Sequence, residues 1–114
     1  MNGDSKLSGL DPSARAYAYA FISYLRSLGL KVTVTSGLRT RMEQQTLYQR
    51  AQRGGSRYPA APPGHSLHET GLAWDMVVEP REYLAAVGHA WEQLGGRWGG
   101  RFKDPVHFDF LRRS

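Results

Sequence analysis

The 114-residue chain contains no cysteine, which excludes disulfides, thiolate metal sites and cysteine nucleophiles. Any bound metal must therefore be held by His, Asp or Glu side chains. No apolar run reaches the ~18 residues that a membrane-spanning helix needs. The first ten residues, MNGDSKLSGL, also lack the charged start and apolar middle of a signal peptide. We therefore expect no membrane insertion and no cleavable leader.

Acidic residues are scarce relative to basic ones: 10 Asp and Glu against 15 Lys and Arg give a formal net charge of +5. Such a protein is attracted to an anionic partner, which could be nucleic acid, a membrane surface or the bacterial cell wall. The charge is equally consistent with a solvated surface of no specific meaning. No recognition-helix or RNA-binding motif accompanies it, so we expect no nucleic-acid binding.

Three helices are predicted from their end signals and apolar spacing. Asp11 and Pro12 suit the start of the first helix, and Gly29 its end. Thr40 and Glu43 form a capping box at the start of a second helix that runs to about residue 52. The third is predicted from Pro80 to about residue 94. Apolar stripes predict the buried faces of the first and third helices: Tyr17, Phe21, Tyr24, Leu25 and Leu28, then Tyr83, Leu84, Val87 and Trp91.

Strands are predicted at 31–36, at 71–78 and at the end of 101–111, where apolar residues are β-branched or alternate with polar ones. Residues 53–65 hold three prolines and three glycines and form a loop, which at this length is usually functional or mobile. The order indicates a single α+β domain over residues 1–114. We predict a small, mainly antiparallel sheet flanked by about three helices.

Polar residues that can take part in catalysis or metal binding lie on one face of two predicted strands. In the last strand, Val106, Phe108 and Phe110 share one face, which leaves His107 and Asp109 on the other. In the earlier strand, Leu72, Trp74 and Met76 share one face, and Ala73 and Asp75 the opposite one. An aspartate beside an alanine in a strand is poorly explained by packing, so Asp75 needs a partner.

A metal site accounts for these placements. Two imidazoles and a carboxylate, from His68, Asp75 and His107, leave a fourth tetrahedral position for water, as in catalytic zinc sites. Asp104, three residues before His107 and followed by Pro105, can supply the proton acceptor that such a water needs. Asp109 can orient a ligand histidine.

Each residue also has a simpler structural explanation. His107 alone can be a satisfied strand histidine, Asp75 a salt-bridge partner and Asp104 a turn residue before proline. The structural explanation must, however, place four polar side chains on inward or cleft faces by coincidence.

Three motifs carry a family resemblance. Residues 66–75, SLHETGLAWD, fit the pattern S-x-H-x-x-G-x-A-x-D. The segment FKDPVHFDF resembles the C-terminal motif of the same family, and SGLRT followed by EQQTLY resembles the segment that carries the family's arginine. In this order and over residues 36–110, the chain resembles the zinc peptidases that include D-alanyl-D-alanine carboxypeptidases of vancomycin resistance and L-alanyl-D-glutamate endopeptidases of phages and bacilli.

The resemblance implies a role for each matching residue. One zinc ion per chain would be bound by His68, Asp75 and His107. Asp104 would be the general base, and Arg39 would bind substrate beside the scissile carbonyl and stabilise the developing oxyanion. Ser66 would contact substrate or support the site. The chain has Asp109 where many relatives have Glu, which leaves the role of that position open.

The implied activity is hydrolysis of peptidoglycan stem peptides. The aspartate in FKDPVHF favours an L-alanyl-D-glutamate endopeptidase; the alternatives are a D,D- or L,D-carboxypeptidase, or a non-catalytic cell-wall-binding module. We expect a monomer that is made in the cytoplasm and acts on the cell wall. Without a leader, a phage-type release or an injection device would deliver it.

Overall fold

The computed structural model describes residues 2–54 and 60–110. Within these residues, four strands form one sheet in the order β1-β2-β4-β3, and all neighbouring strands are antiparallel. The strands are β1 Lys31–Ser36, β2 Ala73–Glu79, β3 Arg97–Trp98 and β4 His107–Asp109. The predicted α+β class with a small antiparallel sheet is confirmed. The two-residue strand β3 was not predicted, because it lies in a glycine-rich segment without alternation.

The helices are α1 Pro12–Ser27, α2 Arg41–Gln52 and α3 Leu84–Gln93. The Asp11 carboxylate accepts a hydrogen bond from the backbone of Ala14 at the start of α1, and both halves of the Thr40–Glu43 capping box are formed. The predicted start of the third helix at Pro80 was wrong. Pro80 has an extended backbone and precedes a 3-10 turn over Arg81–Tyr83, so the α-helix begins only at Leu84.

The second strand begins at Ala73, two residues later than predicted, because Gly71 forms a turn. Its φ is +76°, a conformation that glycine adopts without strain. A Cβ at this position would also lie 2.9 Å from the backbone nitrogen of Asp11. Gly71 therefore brings the chain close to the start of α1 before it enters β2.

The hydrophobic core lies between one face of the sheet and the helices α1 and α3. Trp74, Met76 and Phe108 are fully buried there. The predicted stripe of α1 was only partly correct, since Phe21 and Leu25 are buried whereas three members are exposed: Tyr17, Tyr24 and Leu28. The buried face of α1 is completed by Ala14, Ala18 and Ile22. A buried tyrosine hydroxyl needs a hydrogen-bond partner, and this purely apolar face offers none. In α3, Leu84, Val87 and Trp91 are buried as predicted, and Tyr83 is exposed.

An unpredicted 3-10 turn, Asp4–Gly9, covers the outer edge of β1. The backbone N–H of Val34 donates to the carbonyl of Asn2, and Leu7 is fully buried in the core. Arg26 of α1 holds the turn through two hydrogen bonds to the Asp4 carboxylate, of 2.7 and 2.8 Å. Among the helices that the structure describes, none has the length and apolarity required to cross a membrane.

Candidate metal centre

The sheet face opposite the core carries the candidate metal ligands. In the pairing of β2 with β4, Asp75 lies opposite His107 and Ala73 lies opposite Asp109. His107 and Asp109 are buried, and Asp75 retains only 14% of its side-chain exposure. The alternation in the sequence therefore predicted the faces correctly within β2 and β4. Val106, which was predicted to share the core face, precedes β4 and lines the cleft.

His68 approaches the same point from a 3-10 turn, Leu67–Glu69, that precedes β2. The Ser66 hydroxyl accepts a hydrogen bond from the His68 backbone N–H at 3.2 Å and so caps this turn. The His68 carbonyl accepts from the backbone N–H of Arg39 at 2.8 Å. His68 is therefore fixed at its backbone on both sides, and its side chain is almost fully buried.

Three potential ligand atoms converge between these elements. His68 Nε2 lies 3.1 Å from Asp75 Oδ1 and 3.2 Å from His107 Nδ1, and the latter lies 3.6 Å from Asp75 Oδ1. Two ligands at ~2.0–2.2 Å from a tetrahedral zinc ion are separated by roughly 3.3–3.6 Å. The spacing of the three atoms therefore fits a small cation held between them.

The other ring nitrogens support the same conclusion. His68 Nδ1 lies 2.9 Å from the carbonyl oxygen of Gly37, and His107 Nε2 lies 2.7 Å from Asp109 Oδ2. Both partners are acceptors, so both of these nitrogens carry the hydrogen. In neutral rings, His68 Nε2 and His107 Nδ1 then present lone pairs to each other and to a carboxylate oxygen. Three acceptors this close need a cation, either a proton or a metal ion.

The pKa values of two candidate ligands reflect this electrostatic situation. Burial acts to raise the pKa of Asp75, but hydrogen bonds from His107 and His68 and the charge of Arg39 hold it well below its usual range. Burial acts to lower the pKa of His107, but hydrogen bonds to Asp109 and Asp75 outweigh it and raise the pKa to about 9. A proton on His107 therefore balances the buried carboxylates when no metal does.

Arg39 lies beside Asp75 at the edge of the centre. Its guanidinium donates to Asp75 Oδ2 at 2.8 Å, to the Ser36 hydroxyl at 3.1 Å and to Gln44 Oε1 at 3.0 Å. The fully buried Gln44 also donates to the carbonyl of Ala61 at 2.7 Å. Gln44 was not predicted as a site residue, although it lies in the segment EQQTLY. Its inward position on α2, directly after the capping box, is seen in the structure.

Asp104 lies in the turn before β4. Its backbone N–H donates to the carbonyl of Gly99 at 2.8 Å, and the Trp98 indole donates to the carbonyl of Pro105 at 2.8 Å. A Cβ at Gly99 would overlap the Asp104 carbonyl oxygen and lie 2.8 Å from His107 Cβ, so the turn packs directly on this glycine. Burial, and then the negative charge of Asp75, raise the pKa of Asp104 to about 6.

The centre opens into a cleft of about 490 Å³. Asp104 and the three candidate ligands line it together with Ser66, Arg39, Arg97 and Phe102. Both arginines already face a carboxylate, Asp75 and Asp109 respectively, at 2.8 Å. A larger groove of about 690 Å³ lies on the core side between α1 and α3, but its lining includes no His, Asp, Glu, Lys or Arg side chain among the described residues. The candidate catalytic residues therefore line the cleft and not the groove.

An antiparallel sheet that carries a buried His-Asp-His cluster beside an acid in an open cleft is an arrangement typical of hydrolytic metalloenzymes. The sequence matches the VanY family profile, described as D-alanyl-D-alanine carboxypeptidase, over residues 8–98. The peptidoglycan L-alanyl-D-glutamate endopeptidase CwlK of Bacillus subtilis (strain 168) is 30% identical over an alignment that is 126 positions long and covers 91% of this chain and 75% of CwlK. The chain belongs to the VanY family of peptidoglycan-hydrolysing metallopeptidases, as the resemblance implied.

Solved structures with this fold include both endopeptidases and carboxypeptidases. The L-Ala D-Glu endopeptidase ChiX of Serratia marcescens superposes with a TM-score of 0.68 at 23% identity, covering 97% of this chain and 87% of ChiX. The vancomycin resistance D,D-pentapeptidase VanY, solved in complex with Zn(II), gives a TM-score of 0.70 at 20% identity over 88% of this chain and 71% of VanY. The LD-carboxypeptidase LdcB gives a TM-score of 0.72 at 22% identity, covering 96% of this chain and 69% of LdcB. At these identities the likeness establishes the fold.

Proposed function

We propose that the protein is a zinc-dependent L-alanyl-D-glutamate endopeptidase that cleaves peptidoglycan stem peptides. The zinc ion would be held by His68, Asp75 and His107. The observation that carries the proposal is the convergence of three lone-pair atoms at 3.1–3.6 Å, with the outer nitrogen of each histidine already bonded to an acceptor. Zinc favours nitrogen and oxygen ligands in this tetrahedral arrangement.

Asp104 would act as the general base. When bound, zinc supplies a Lewis acid that makes a water molecule more acidic and polarises a peptide carbonyl. The Asp104 carboxylate lines the same cleft and would take the proton of the attacking water, then return it to the leaving amine. A pKa raised to about 6 makes this carboxyl a stronger base than an exposed aspartate, yet leaves it ionised at neutral pH.

Arg39 would stabilise the negative charge that develops on the carbonyl oxygen. Three of its five N–H groups are used by Ser36, Gln44 and Asp75. Within residues 2–54 and 60–110, no partner takes the other two N–H groups, so they are offered to substrate on a guanidinium that three partners hold in place. A preorganised cation of this kind is effective because it needs no rearrangement during the reaction. Ser66 would mainly support the site by capping the turn that carries His68.

Endopeptidase activity is favoured over carboxypeptidase activity by two observations. CwlK, the relative at 30% identity, is an L-alanyl-D-glutamate endopeptidase. In addition, the two arginines that line the described part of the cleft are each paired with a carboxylate of the protein. A carboxypeptidase benefits from an uncompensated cation that binds the terminal carboxylate of its substrate. Carboxypeptidase activity remains the second candidate, because the matching family profile is described by it.

Digestion of defined muropeptides by zinc-loaded protein, followed by mass spectrometry, tests the proposal. Fragments split between L-Ala and D-Glu are expected, whereas loss of a terminal D-Ala alone would establish the carboxypeptidase instead. The Asp104→Asn variant, loaded with zinc in the same way, is the control for contaminating hydrolases. Metal analysis of the purified protein should find about one zinc per chain, and full activity after complete metal removal would refute the zinc requirement.

A further inference from the structure

Arg97 and Asp109 form an ion pair on the far side of His107 from the candidate metal position. Arg97 Nη2 lies 2.8 Å from Asp109 Oδ2, and Arg97 Nε lies 3.0 and 3.2 Å from the two carboxylate oxygens. The two residues are paired directly across β3 and β4. The Asp109 side chain is fully buried, whereas that of Arg97 retains 32% exposure at the wall of the cleft.

The same carboxylate oxygen bonds both Arg97 and His107. Asp109 Oδ2 accepts from His107 Nε2 at 2.7 Å and from Arg97 Nε and Nη2. Phe102 adds a second link, since the Arg97 guanidinium lies over its ring at 5.0 Å and its ring packs edge-on against His107 with centroids 5.8 Å apart. The orientation of the imidazole therefore depends on a carboxylate that the guanidinium holds at two points.

We propose that Arg97 is a positioning residue of the metal centre, which fixes Asp109 and thereby aims His107 Nδ1 at the metal. A carboxylate gripped at two points by a guanidinium fork cannot rotate about its terminal bond. Its hydrogen bond to His107 then fixes the plane of the imidazole ring. Outer partners of metal-bound histidines commonly change metal affinity by about 10–100-fold when they are removed, and Arg97 extends this support by one further residue.

Cobalt(II) binding to the metal-free protein measures this role without relying on activity. We expect Arg97→Met to weaken cobalt binding by about tenfold or more and to alter the visible absorption spectrum of the bound cobalt, which reports ligand geometry. Arg97→Lys keeps the charge but offers no planar fork, so it should restore affinity only in part. Arg101→Met is the matched control: it removes the same charge four residues away, where Arg101 pairs with Glu92 outside the centre. Its cobalt affinity and spectrum should equal those of the wild type.

A double-mutant cycle with Asp109→Asn tests whether Arg97 acts through Asp109. If it does, Arg97→Met has little further effect on cobalt affinity once Asp109 is replaced. Losses that add in full would overturn the inference, as would an Arg97→Met affinity within twofold of the wild type with an unchanged spectrum. Circular dichroism of each metal-free variant verifies folding, and Arg97→Lys carries the test if Arg97→Met does not fold.

The inference rests on the proposed metal centre but not on the proposed substrate. Wild-type protein that binds no cobalt would refute the centre, and Arg97's role with it. Tight wild-type binding that Arg97→Met leaves intact would refute only the role of Arg97.

Discussion

Metal binding should displace a proton from His107, and the cost of that displacement can be worked out from the site. The pKa of His107 is raised to about 9, so at pH 7 the imidazole lies two pH units on the protonated side. A metal ion needs the neutral ring, so it competes with the proton. Two pH units correspond to about 3 kcal/mol, or roughly a 100-fold weaker apparent affinity at pH 7 than above pH 9.

Competition with a chelator of known affinity at pH 7, 8 and 9 measures this effect. The apparent affinity should rise about tenfold per pH unit and level off near pH 9. Titration calorimetry in two buffers of different ionisation enthalpy counts the protons released. In the Asp109→Asn variant the His107 pKa should fall, because a hydrogen bond to the Asp109 carboxylate is a main cause of its elevation, and the pH dependence should weaken. A metal affinity that is constant from pH 7 to 9 would refute the reasoning.

Because His107 carries this proton, the unfolding free energy of the metal-free protein should depend on pH. The folded pKa of about 9 lies above the unfolded value of about 6.5, so the stabilisation is complete below pH 6.5 and is lost as the pH rises through 9. The loss is about 3 kcal/mol of unfolding free energy. Urea denaturation at pH 6.5 and 9 should detect it in metal-free protein, and metal-loaded protein should lack it. Equal stability of the metal-free protein at both pH values would contradict the assignment of the proton to His107.

Three further predictions test individual residues. Asp104→Asn should retain zinc but lose about 10²–10⁴-fold in turnover, and near-normal turnover of the variant would assign the base elsewhere. The wild-type turnover should decrease as the pH is lowered through about 6, where Asp104 becomes protonated, and bound zinc shifts this decrease to a lower pH because it stabilises the carboxylate. His68→Ala should reduce zinc content, measured by mass spectrometry of the metal, far below one per chain, and a full complement would exclude His68 as a ligand. Gly99→Ala should cost about 1–3 kcal/mol in thermal unfolding by forcing the Asp104 turn away from β4, and unchanged stability and activity would show that the turn can yield.

The faces of β2 and β4 could be predicted from the sequence, and the reason is physical. Residues two apart in a strand share a face, so the apolar positions identified the core side and left Asp75, His107 and Asp109 on the other. Strand order and register are not encoded in that alternation. Only the strand pairing in the structure shows that Asp75 lies directly opposite His107, which brings their ligand atoms together.

The supporting residues were missed because they carry no periodic signal. Arg97 lies among glycines, and its partner Asp109 is twelve residues away. Gln44 follows a correctly predicted capping box, yet helix signals do not reveal that its amide bridges Arg39 and Ala61. Contacts of this kind arise from tertiary packing, so they become visible only once the elements are assembled.

The convergence of His68 and His107 at one point gives the fold a means of cross-linking that its cysteine-free sequence otherwise lacks. The two residues are 39 positions apart. A covalent bridge over a loop of that length lowers the conformational entropy of the unfolded chain and so stabilises the fold by about 4 kcal/mol. A metal ion held by both imidazoles would join the same segments as a reversible staple. For this protein a chelator would then act as a reducing agent acts on a disulfide protein, loosening the fold and disabling the site in a single step.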